Sequence, residues 1–222
     1  MVEWRKIATF TKFKLLLEVA GEIMMARELN RGRKRGVGLH ENFAGCLAAA
    51  GPPGHLVENN RLDGNTWIGI DVGGEGSVVR GNRITNTGGG TGITNIVKAL
   101  GIYTYGDVEI LGNLINGVVP AAGSGGEAMG INPGFNEVGS VIDNNVKNVI
   151  ADGAHYSYGI LFHGTTGRVS VDSNNIVGPG TATSVGVYCP ASNKVVLAGN
   201  VASGWNEAKV NCLADGGNVV VP

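Results

Sequence analysis

An aspartate, two histidines and two tyrosines fall within twelve residues: Asp152, His155, Tyr156, Tyr158 and His163. Groups of these types can move protons. Imidazole exchanges them near neutral pH, a desolvated carboxyl does so when its pKa rises, and a phenol can act as an acid in an elimination. Asp152, His155, Tyr156 and His163 are therefore the candidate catalytic residues, with Asp71 and Glu127 as further carboxylates for an acid–base pair. A second set suits binding: Asp71, Tyr103, Tyr105, Asn132, Tyr158 and Tyr188. Aromatic faces stack on the C–H faces of pyranose rings, while carboxylate, amide and phenol groups bond hydroxyls. The plainer reading is that the same residues decorate a solvated sheet or a polar loop.

Either reading depends on what positions these side chains, and the chain repeats itself. A small or polar residue, then Asn, then an apolar strand start occurs six times, with the second Asn at 60, 82, 113, 145, 175 and 200. A second motif, Gly followed by Ile or Val, runs out of phase with it at Gly69-Ile70, Gly101-Ile102, Gly130-Ile131, Gly159-Ile160 and Gly186-Val187. A degenerate sixth copy stands at Lys209-Val210. Steps of 22 to 32 residues hold two or three short strands, too few to bury their own apolar faces. Stacked at about 4.8 Å, each strand pairs with its equivalent above and below, so like residues form columns. The asparagines then make a turn ladder, and Ile and Val fill the interior. With Ile70, Ile102, Ile131, Ile160 and Val187 inward, alternation turns Asp71, Tyr103, Asn132, Leu161 and Tyr188 outward as one row. Tyr105 and His163 lie two positions further on.

Composition agrees. The 38 glycines among 222 residues far exceed the usual share of roughly 7%, without the three-residue period of collagen. A net charge of −1 gives no reason to expect nucleic acid as a partner, and no apolar run approaches the ~18 residues of a membrane helix. Basic residues precede Leu15-Leu16-Leu17, but Glu18 and Glu22 interrupt the run, which makes a poor signal peptide. Of three cysteines, Cys189 and Cys212 each lie two residues beyond a Val of the second motif. That places them as neighbours on adjacent coils, either disulfide-bonded or reduced and buried.

These two motifs resemble the right-handed β-helix repeats of the pectin-lyase-like superfamily, over roughly residues 54 to 212. The resemblance implies an all-β, right-handed parallel β-helix, here of about six coils, exported or displayed on a cell surface. It implies a polysaccharide-binding or polysaccharide-processing protein, a lyase or glycoside hydrolase if it is an enzyme. The family's Asp-Pro-His-Asp and Asp-Asp patterns are missing, and Arg61, Arg80, Arg83 and Arg168 adjoin turns rather than the tyrosine row. No cofactor is expected, and the dispersed carboxylates do not make a calcium site. A fold alone does not choose an activity, so a non-catalytic structural or adhesive solenoid and an inactive truncated paralogue stand as alternatives.

Residues 1–50 lack the repeat and read as a cap and linker, with helical spacing over 11–31, while 51–222 form the β-helix. The distance from each Asn to the next Ile or Val swells over the second to fourth coils. Segments 85–100, 116–129 and 148–157 should therefore form a wall beside the Gly-Ile sheet, with a groove along it.

Overall fold

The computed structural model describes residues 54–89, 98–134, 139–163, 169–189 and 195–221, with the backbone of 33–35, 38–40 and 47–49. No helix occurs among them, and every strand pairing is parallel. The chain is a parallel β-solenoid with three sheets of eight, eight and seven strands, each strand returning one coil later to the same sheet. One coil comprises Ser77–Arg80 in the first sheet, Arg83–Thr87 in the second and Lys98–Tyr105 in the third; the next comprises Val108–Leu111, Leu114–Val118 and Glu127–Pro133.

Each sheet sends columns of apolar side chains inward. Val57, Val79, Ile110, Val141, Val171 and Leu197 are in register in the first sheet, and Leu62, Ile84, Ile115, Val146, Ile176 and Ala202 in the second. The third contributes Ile70, Ile102, Ile131, Ile160 and Val187. All are buried. A fully buried Ile or Val is worth roughly 1.5–3 kcal/mol, so these columns supply the main force for stacking.

The corner between first and second sheets is built from two residues. The first has a left-handed backbone, φ +55 to +65, at Asn59, Gly81, Gly112, Asp143, Ser173, Gly199 and Gly217. The second is the ladder asparagine, and here the expectation needs correction: the column is Asn60, Asn82, Asn113, Asn144, Asn174, Asn200 and Asn218. In Asn144-Asn145 and Asn174-Asn175 the first Asn, not Asn145 or Asn175, takes the place, whereas in Asn59-Asn60 it is the second. The inward residues Val146 and Ile176 come two positions after the ladder, so Asn145 and Asn175 already belong to the strand. Asn113 Oδ1 accepts from both the backbone N–H and the side-chain Nδ2 of Asn82, each at 2.9 Å. Asn113 Nδ2 donates to Val79 O and to Asn144 Oδ1. Every hydrogen-bonding site of that buried amide is used.

Three other expectations shift. Strands Arg33–Arg35, Gly38–His40 and Leu47–Ala49 pair in register with Leu56–Glu58, Arg61–Asp63 and Ile68–Gly73, so the stack begins inside the segment read as cap and linker. The sheets thus hold more strands than the six repeats counted from asparagine spacing; the helix expected over 11–31 lies outside the described residues. In the last copy Lys209, not Val210, pairs with Val187, and Val210 pairs with Tyr188. Cys189 and Cys212 still meet, as a disulfide with Cα atoms 5.2 Å apart.

Candidate functional site

The glycines of the Gly-Ile motif shape the face that carries the tyrosines. Their φ angles are ordinary, but a Cβ on Gly130 would lie 2.4 Å from Val146 Cγ1 and 2.6 Å from Gly159 O. Gly69, Gly101, Gly159 and Gly186 meet equivalent obstructions, so only glycine fits where the coil pinches between the second and third sheets. The strand does not keep simple alternation through this point. Ala99 and Ile102 face the core, while Leu100 and Tyr103 pack in a separate cluster outside it. Two adjacent columns therefore point outward: Ile68, Leu100, Met129 and Tyr158 before the glycine, and Asp71, Tyr103, Asn132, Leu161 and Tyr188 after it.

This outer face is not the solvated row that alternation suggests. Asn132 and Leu161 are 1% and 5% exposed, and Met129 is buried beside them. Ile68, Leu100, Met129 and Leu161 form a small second apolar cluster, with Trp67, Tyr103, Tyr158 and Tyr188 packed against it. Trp67 is the member that sequence reasoning missed. Its signal was the apolar pair Trp67-Ile68 directly before Gly69, overlooked because alternation was counted only forward from the glycine.

The tyrosines make two groups. Tyr103 and Tyr105 have ring centroids 6.2 Å apart beside Asp71, the register partner of Tyr103. Tyr156 stacks on Tyr158 at 5.7 Å, and Tyr158 meets Tyr188 edge-on at 5.8 Å. Burial pushes the Tyr158 phenol up to about 12, helped by the nearby Glu127 carboxylate. Asn132 and His163 stand between the groups. Asn132 Nδ2 lies 2.8 Å from Met129 Sδ and 3.3 Å from His163 Nε2, and burial, then Lys98, lowers the His163 pKa. Neutral His163 can accept a proton or a hydrogen bond at that nitrogen. Glu127 is engaged by Lys98 at 3.4 Å.

Asp71 is the anomaly of the face. Its Oδ1 is buried without a hydrogen-bond partner, and burial raises its pKa from 3.8 to about 6. The phenols of Tyr103 and Tyr105 are raised as well, by burial and by the Asp71 charge.

The proposed catalytic set occupies two places. Asp152 and His155 lie in the loop that enters Ser157–Leu161, and His163 lies beyond the other end of that strand, eight residues after His155. Asp152 braces the loops around it. Its Oδ2 accepts the Gly125 N–H at 2.8 Å, its own N–H donates to Gly126 O, and the backbone donors on its carboxylate hold its pKa low. His155 covers Gly125, and Thr183 Oγ1 donates to His155 O. Loops 120–126, 150–156 and 178–183 are thereby tied to one another along the edge where the chain enters the third sheet. Segment 85–100 and Arg168 fall wholly or partly outside the described residues, and Arg80 pairs with Glu58 at 2.8 Å, away from this face.

Comparison with protein-family models, with curated proteins and with solved structures finds no match to this chain.

Proposed function

We propose that the outer face of the third sheet binds a polysaccharide. One observation carries the reading: all five tyrosines of the chain lie on this face or at its entering edge, at Tyr103, Tyr105, Tyr156, Tyr158 and Tyr188. Tyr105 and Tyr156 are 38% and 45% exposed, so their rings offer stacking surface, and the partly exposed Asp71 and the exposed His163 can supply hydroxyl partners. Rungs about 4.8 Å apart set these side chains at spacings close to the length of one sugar unit. Kinship with the pectin-lyase-like β-helices is part of the proposal, supported by the coil and its asparagine ladder. So is an extracellular or surface location, which the Cys189–Cys212 disulfide suits.

Binding without cleavage is the favoured form. Asp152 spends its carboxylate on loop backbone, and His163 stands at the far end of the strand from His155. An acid and a base held across one bond are what hydrolysis or elimination would require. The test is titration with a panel of neutral, acidic and amino-substituted glycans, followed by product analysis. Tyr105→Ala and Tyr188→Ala should each weaken binding roughly 3- to 10-fold, as expected for loss of one aromatic contact, with the polymer intact after incubation. Unchanged affinity in both variants would move the site elsewhere. Cleavage products would restore the enzymatic reading.

A further inference from the structure

We propose that Asp71, Tyr103 and Tyr105 form a subsite for a positively charged amino group, so that the glycan recognised carries free amines, as a hexosamine polymer does. The inference rests on the polysaccharide reading and names its substrate class. The parts are held in place by the fold. Asp71 and Tyr103 are register partners on adjacent coils, and Tyr105 lies two residues further along the same strand. Two glycines let the rings take their positions. A Cβ on Gly73 would fall 2.0 Å from Tyr105 Cε2 and Cζ, so that ring lies across the backbone of the Asp71 strand. A Cβ on Gly134 would come 3.1 Å from Tyr103 Cε2 and Oη, so the other ring leans toward the following coil. The rings stand 44° to one another, 6.2 Å apart.

Asp71 Oδ1 is buried with no donor on it, although a buried carboxylate oxygen normally has one. No arginine or lysine ion pair to Asp71 occurs among the described residues, and Lys98, at the start of the Tyr103 strand, is engaged by Glu127. A carboxylate with two tyrosine rings close by suits an ammonium group, through charge-assisted hydrogen bonding and through attraction to the rings. It matches a uronic acid poorly, because the ligand carboxylate would be brought against Asp71 at short range.

The experiment compares three oligomers of equal length, made of glucosamine, N-acetylglucosamine and galacturonate, by calorimetry at pH 6.5 and moderate salt. The glucosamine oligomer should bind at least about tenfold more tightly than its acetylated counterpart, and the galacturonate oligomer weakest. Asp71→Asn should abolish the preference for the free amine, while Tyr188→Ala weakens both hexosamine oligomers by a similar factor. Equal binding of the two in the wild type, or a preference that survives Asp71→Asn, overturns the amine subsite but leaves the glycan-binding face standing. Failure of all three to bind overturns both.

Discussion

At the scale of single residues, neighbouring asparagines of the same type have different roles. Asn144 bonds Asn113 and Asn174, backbone Ile110 O and its own turn. Removing its amide leaves the buried Asn113 N–H without its acceptor and takes one donor from the Ile110 carbonyl. Asn145, one position on, has a buried Oδ1 with no partner at all. Asn144→Ala should cost about 3 kcal/mol in chemical denaturation, and Asn145→Ala less than about 0.5 kcal/mol. Equal effects would refute the ladder as placed here. Asp71 makes the opposite case. Its folded-state pKa of about 6 exceeds its ordinary 3.8, so ionising it is harder in the folded protein, and the stability present below pH 3.8 is lost as pH rises through 6. Discounted for partial exposure, the loss is about 2 kcal/mol. Asp71→Asn should therefore raise the melting temperature at pH 7.5 and leave it nearly unchanged at pH 3.5. A destabilised variant at pH 7.5 would mean that the carboxylate has a structural partner.

At the scale of elements, the third sheet differs from the other two because a glycine column pinches it. The substitution Gly130→Ala must push a Cβ against Val146 and the Gly159 carbonyl, at a cost of about 2–4 kcal/mol measured by thermal or denaturant unfolding. Gly112→Ala meets no atom within 4 Å and bears only the left-handed backbone, which costs about 1–2 kcal/mol. The reverse order would deny that contact, rather than φ, selects the Gly-Ile glycines. The same pinch limited what was legible in the sequence. Parallel register could be read because like residues recur in phase, and Ile70, Ile102, Ile131, Ile160 and Val187 fell into the right column. The outward row was named correctly, but its burial was not, because a break in alternation is invisible to a count of every second residue. Asn-Asn pairs are ambiguous by one position until backbone φ is known, which explains the slip at Asn145 and Asn175. In the last copy Ala208 stands where the others have glycine, and without that marker the register was misread by one. Arg33–Arg35 is a strand because Leu56–Glu58 gives it a parallel partner, a reason that no charged tripeptide carries in itself.

At the scale of the whole molecule, the solenoid does one thing for the site: it turns sequence period into spatial alignment. Tyr103, Tyr158 and Tyr188 are dozens of residues apart in the chain, yet they share one outer face because each coil returns to the same sheet. That Asp71, Tyr103, Asn132 and Tyr188 fall on one face was legible for that reason, since alignment needs only the period. The surroundings of Asp152 and His155 were not, because these residues lie in a loop whose internal bonds no repeat predicts. With five tyrosines in the chain, all on this face or at its edge, a protein carrying isotope-labelled tyrosine rings reports on the site directly. We expect the ring signals of Tyr103, Tyr105, Tyr158 and Tyr188 to shift together, saturably, as a glycan oligomer is added. A glycan that binds while all five ring signals stay in place would contradict a binding face built on these tyrosines.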